Sequence, residues 1–172
     1  MLVQASGMEA WHDFFVAQVG ATAALAGLLF VALSINVTQI LKYSWLPARG
    51  AQTVVVLTGA LFEASLALLP AGSSRPVALV SIVIGAITWT TSLSLVIAFV
   101  RGLEKQELLL VPRVWSRGYI ITAQVATLPA IIGSTFVFSG NLGGYYWITG
   151  GTLFTLAFAL YNSWILLIEI LR

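Results

Sequence analysis

From Phe14 to Ile40 the chain runs without a single charged side chain. A membrane-crossing helix needs about 20 mostly apolar residues. Four more runs of that kind follow, at 51–69, 77–100, 119–138 and 145–171. They are continuous, unlike the alternating segments of about ten residues that build membrane barrels. The expected fold is therefore all-α: a polytopic membrane bundle of five transmembrane helices, forming one domain over residues 1–172. Composition agrees. Only 8% of residues are charged and 59% are hydrophobic, whereas soluble domains carry about 25% charged residues. The absence of cysteine excludes disulfides, Cys-ligated zinc and iron–sulfur clusters.

Five spans put the two termini on opposite sides, and the distribution of basic residues sets the orientation. With the loop after the first span in the cytoplasm, Lys42, Arg49, Arg101, Lys105, Arg113, Arg117 and Arg172 face inward and Arg75 alone faces outward. The expectation is an N-terminus outside and a C-terminus in the cytoplasm of a bacterial inner membrane. The pI near 9.2 then reflects topology and lipid headgroups, not nucleic acid. Aromatics fall in two belts: Trp11, Phe14, Phe15, Tyr145, Tyr146 and Trp147 outside, and Tyr43, Trp45, Trp115 and Tyr119 inside. The opening MLVQASG lacks the basic start and cleavage site of a signal peptide, and Met8 is an alternative start. The cytoplasmic loop 101–118 is the longest connection. Its Leu108–Val111 stretch reads as a short interfacial helix ending before Pro112.

Helices in lipid associate through small residues and polar contacts. The seams read from helical spacing are Gly20, Gly27 and Ser34 in the first span; Gln52, Val56, Gly59 and Glu63 in the second; Ser81, Gly85, Thr88 and Ser92 in the third; and Gly151, Thr155, Asn162 and Glu169 in the fifth. The stretch GATAALAGLLFVALSIN resembles the first helix of small, uncharacterised bacterial multi-pass membrane proteins, which often start near a MEAWHDFF-like segment. The similarity extends to LIEILR at the C-terminus. It implies a bacterial multi-pass membrane protein and carries no activity.

Catalytic sets are absent from the sequence. It has one histidine and no HExxH, GxSxG or phosphate-binding loop, so neither an enzyme nor a metal site is expected. The residue that stands out is Glu63. Counting back from Pro70, it lies roughly 10 Å inside the outer boundary. An isolated charge there costs about 2.5 kcal/mol or more, so Glu63 either holds a proton or has a partner. The candidate contacts are Arg75, reaching down from the same loop, and His12; Asp13 and Gln18 complete the polar set on that side. Bound lipid is the expected ligand, with pigment ligation by His12 a minor option. The leading functional expectation is an accessory or structural subunit of a larger membrane complex, a bioenergetic one among the options. The alternative is a homo-oligomeric ion or proton channel, or a small transporter, working through Glu63. Partners are then lipids and other membrane subunits, or copies of the chain itself.

Overall fold

Backbone amides with no water to bond must satisfy one another, and continuous helices do so within one segment. The computed structural model describes the backbone of residues 2–70, 74–105 and 113–171, with side chains except at 2–10, 104–105, 113–117, 167 and 169–171. Its elements are all helices: α1 (Leu2–Ile35), α2 (Val37–Ile40), α3 (Leu46–Ala67), α4 (Ser74–Lys105), α5 (Arg113–Phe138) and α6 (Gly144–Leu171). Helix α3 packs on α4, α4 on α5, α5 on α6 and α6 back on α3. These four close a ring. Helix α1 lies outside it, mainly along α3, with a light touch on α6.

The ring is apolar outside, unlike a soluble bundle, and turns polar side chains into an interior they share with a hydrophobic core. Ile35, Leu28, Phe30, Trp164 and Ile121 are 77%, 70%, 66%, 63% and 62% exposed, while Gln52, Ser92, Ser134 and Asn162 are fully buried. Among the described residues, four helical segments are long and apolar enough to cross a membrane: Trp11–Ile35, Leu46–Ala67, Ser74–Leu103 and Gly118–Phe138. The sequence reading expects five. The fifth run does form one helix, α6, 28 residues long, whose side chains at 167 and 169–171 lie outside the described residues.

Helix boundaries differ from the expected spans in ways that matter. Helix α3 starts at Leu46, with Pro47 in its first turn. Proline fits there because the first amides of a helix have no partner to lose. Arg49, expected in a loop, is thus inside the helix and only 1% exposed. Helices α4 and α5 extend into the expected 101–118 loop from both sides. The expected interfacial helix at 108–111 lies outside the described residues. Pro129 does not interrupt α5. Thr155 of α6 donates to the Ala126 carbonyl at 2.6 Å, supplying a hydrogen bond in the turn that the proline weakens.

Small residues set the distances between helices. A Cβ on Gly133 would lie 2.5 Å from the Gly144 carbonyl oxygen, and one on Gly144 would collide with the Gly133 oxygen. Helices α5 and α6 therefore touch backbone to backbone beside their connecting turn, where Gly140 has a φ of 88°. Gly59 faces Thr88, Gly85 faces Ile131, and Gly151 faces Pro129 and Ala130. The seam expected on α1 behaves differently. Gly20, Gly27 and Ser34 are exposed, and a Cβ on either glycine meets nothing within 4 Å. These positions pack against nothing in the chain because α1 turns its other face, Phe15, Gln18, Thr22 and Leu29, toward the ring.

This contrast gives a paired prediction. Gly133→Val should destabilise the purified chain in detergent by about 1–3 kcal/mol, the usual cost of overpacking. Gly20→Val should leave its melting temperature within error of the parent. A thermal melt of both variants checks it.

Candidate functional site

The interior of the ring holds two polar clusters, one toward each end. The first is built around Glu63, in the last third of α3. Helix α3 carries Glu63 inward on the same face as Gly59, Val56 and Gln52, since positions three or four apart share a face. Glu63 is 4% exposed. Its Oε2 is hydrogen-bonded to the Ser81 hydroxyl of α4. Ser81 Oγ lies 2.6 Å from Ser134 Oγ of α5, and Ser134 donates to its own helix at Ala130 O, 2.8 Å away. Glu63 Oε1 is buried with no hydrogen-bond partner among the described atoms. It lies 3.4 Å from where a Cβ on Gly85 would sit, so the glycine leaves room for the carboxyl.

Glu63 also separates two interior spaces. One, of about 20 Å³, is lined by Val56, Glu63, Thr88, Thr127, Thr152 and Thr155. The other, of about 30 Å³, runs past Ser81 and Ser134 to Tyr145 and the half-buried Ser74 at the start of α4. Each has room for a water molecule. An aromatic group covers this end of the bundle: Phe15, Trp11 and Tyr145 pack together, with the Trp11 and Tyr145 ring centroids 6.5 Å apart.

The second cluster surrounds Arg49. Its Nε and Nη2 donate to Asn162 Oδ1 of α6, at 3.3 and 3.0 Å. The guanidinium carbon lies 5.5 Å from the Phe99 ring centre and 5.2 Å from that of Tyr119. Such stacking favours a cation most where water is excluded. One turn along α3, Gln52 accepts from the Tyr119 hydroxyl at 2.6 Å and donates to Ser92 at 3.2 Å. All four ring helices contribute one or more of these residues. Arg49 and Glu63 are 14 positions apart, about 21 Å along α3, and Leu57, Ala126 and Phe158 pack in the stretch between the clusters.

No family model, curated protein or solved structure matches this chain. The site is therefore interpreted from its own geometry.

The structure brings together Glu63, Ser81, Gly85 and Thr88 and separates the other expected contacts from them. Arg75 is exposed, and among the described residues no ion pair joins it to Glu63. His12 is exposed as well and sits beside Asp13, with Nδ1 3.4 Å from Oδ1; it does not reach Glu63. His12 and Asp13 lie on the exposed face of α1, outside the ring, and Arg75 is exposed at the start of α4. Gln18 is buried between α1 and the ring, with its amide nitrogen unpartnered among the described atoms. The side chain of Glu169 lies outside the described residues. Among the described residues, no group of three or more His, Cys, Asp or Glu could hold a metal.

Arg49, Tyr119 and Ser134 were not among the expected site residues. Pro47 is the signal for Arg49: it marks a helix start before Arg49 and puts Arg49 one turn from Gln52. Tyr119 reads as an interfacial belt residue until Gln52 and Arg49 are seen opposite it. A lysine at position 49 would lose the paired contact to Asn162 and the planar stacking. Arg49→Lys should therefore lower the stability of the purified chain by about 1–3 kcal/mol, the scale of a disrupted buried charged hydrogen bond, as read by a shifted melting temperature.

Proposed function

We propose that this chain is a five-span protein of a bacterial inner membrane, with its N-terminus outside, that serves as an accessory packing subunit of a larger membrane assembly. The observation that carries the reading is the outward face of α1. Gly20, Gly27 and Ser34 recur every seven residues on one exposed side of α1; a Cβ on either glycine meets nothing within 4 Å among the described residues, and Ser34 donates only to the Phe30 carbonyl of its own helix. In lipid, helices gain their contacts where small residues let backbones approach closely. On the ring helices, Gly59, Gly85, Gly133, Gly144 and Gly151 face neighbouring helices. A neighbouring helix from another subunit is the partner that this face suits.

Helix α6 completes the five spans. At 28 residues it is about 42 Å long, more than the roughly 30 Å hydrocarbon core. It lies between α5 and α3 in the ring, so it shares their depth. Arg49 drops out of the cytoplasmic loop count because it is buried. The remaining basic residues still favour the cytoplasmic side by six to one. The filled layer between the two polar clusters also suits a packing subunit better than an open pore.

The chain contains no cysteine, so single-cysteine variants report cleanly. In intact cells, Asn141→Cys should react with a membrane-impermeant maleimide and Lys42→Cys should not; the reverse pattern overturns the orientation. Gly27→Cys should crosslink to a different polypeptide in native membranes, and the particle in mild detergent should contain that polypeptide. A particle made only of this chain would overturn the accessory reading.

A further inference from the structure

The hydrogen bonds around Glu63 can be counted, and the count bears on its charge. Three contacts run in a line: Glu63 Oε2 to Ser81 Oγ, Ser81 Oγ to Ser134 Oγ at 2.6 Å, and Ser134 Oγ to Ala130 O at 2.8 Å. Each needs one hydrogen between its two oxygens. The two serines own one hydrogen each, and the backbone carbonyl owns none. A carboxylate also owns none, so an ionised Glu63 leaves one contact as two oxygens facing each other without a proton. A carboxylic acid completes the set: Glu63 donates to Ser81, Ser81 to Ser134, and Ser134 to Ala130.

The surroundings agree with an uncharged acid. Helix α4 presents Ser81, Gly85 and Thr88 toward it; α5 presents Thr127, Ala130 and Ser134; α6 presents Tyr145, Ile148 and Thr152. Tyr145 is the titratable member of that group, and none is a cation. Arg49 lies at the far end of α3 and Arg75 is exposed.

We propose that Glu63, Ser81 and Ser134 form a proton-binding site that holds its proton at neutral pH and exchanges it through one end of the bundle without passing it across. Release breaks the carboxyl O–H bond and passes the proton to water in the cavity that leads past Tyr145 to Ser74. The serine chain then reverses: Ser81 donates to the carboxylate and Ser134 donates to Ser81, releasing Ala130 O. Uptake runs the same steps backward. Toward the other end, the cavity lined by the threonines has Val56 in its wall. Beyond it Leu57, Ala126 and Phe158 pack between that cavity and the Gln52 cluster, and the buried Thr53 is turned back on its own helix, donating to the Arg49 carbonyl. This inference does not depend on the accessory reading, because it concerns the ring interior and not the outer face of α1.

The test uses the full chain in three measurements. In detergent at neutral pH, the infrared spectrum should contain a protonated-carboxyl carbonyl band that disappears in Glu63→Gln and is lost from the parent as pH rises. Dicyclohexylcarbodiimide, which attacks protonated carboxyls in apolar sites, should add to the peptide containing Glu63 and to no peptide of the Gln variant. In liposomes under a potassium diffusion potential, the parent should give the proton leak of empty vesicles. No carbonyl band and no adduct at neutral pH would show an ionised Glu63 and overturn the proposal. A proton flux abolished by Glu63→Gln would overturn the one-ended exchange. The glutamine amide can donate to Ser81 as the acid does, so the variant should fold. If it does not, the loss of the parent's band with rising pH decides the question alone.

Discussion

Everything in this fold follows from one constraint: polar groups on an apolar chain must find partners within it. Backbone amides meet the constraint by forming helices. Side chains meet it by facing each other inside the ring of α3, α4, α5 and α6. Hiding leucine gains little in lipid, so the outer surface is left to Leu28, Phe30, Ile121 and Trp164. The contacts that distinguish one packing from another are hydrogen bonds and close backbone approaches. Both lie on the inward faces.

The two polar clusters solve the same problem differently. Around Arg49, a permanent cation is surrounded by an amide oxygen and two aromatic faces. Each element of that set favours positive charge, and the guanidinium's planarity lets it stack and donate at once. Around Glu63, the partners are hydroxyls that can reverse their direction of donation. They accommodate the acid and its conjugate base with a small rearrangement. One cluster is fixed in charge; the other is able to change it. An apolar layer separates them, so the two are neighbours in sequence on α3 without being neighbours in space.

The outside of α1 is a face that the rest of the described chain leaves uncovered. Its small residues, Gly20, Gly27 and Ser34, are spaced as in a packing seam and are left unused by the chain. Helix spacing announces that such a face exists. It does not say whether another part of the same chain covers that face, and among the described residues none covers Gly20 or Gly27.

Much was legible in the sequence because membranes impose long, simple signals. The apolar runs, the inward face shared by Gln52, Gly59 and Glu63, and the polar face of α4 all follow from helical periodicity. Helix ends were less legible. Hydropathy marks where a chain becomes apolar, whereas a helix starts where its first amides can be left open, and Pro47 moved that start ahead of Arg49. The partners were not legible at all. Arg75 is close to Glu63 in sequence, yet Ser81 and Ser134 are its neighbours in the bundle; Asn162 is far from Arg49 in sequence and in contact with it. The sequence by itself determined that the chain is helical and apolar and that a few polar residues must point inward. Only the tertiary structure decided which of them meet, because the order of helices around the ring depends on backbone approaches such as Gly133 to Gly144, which no single helix encodes.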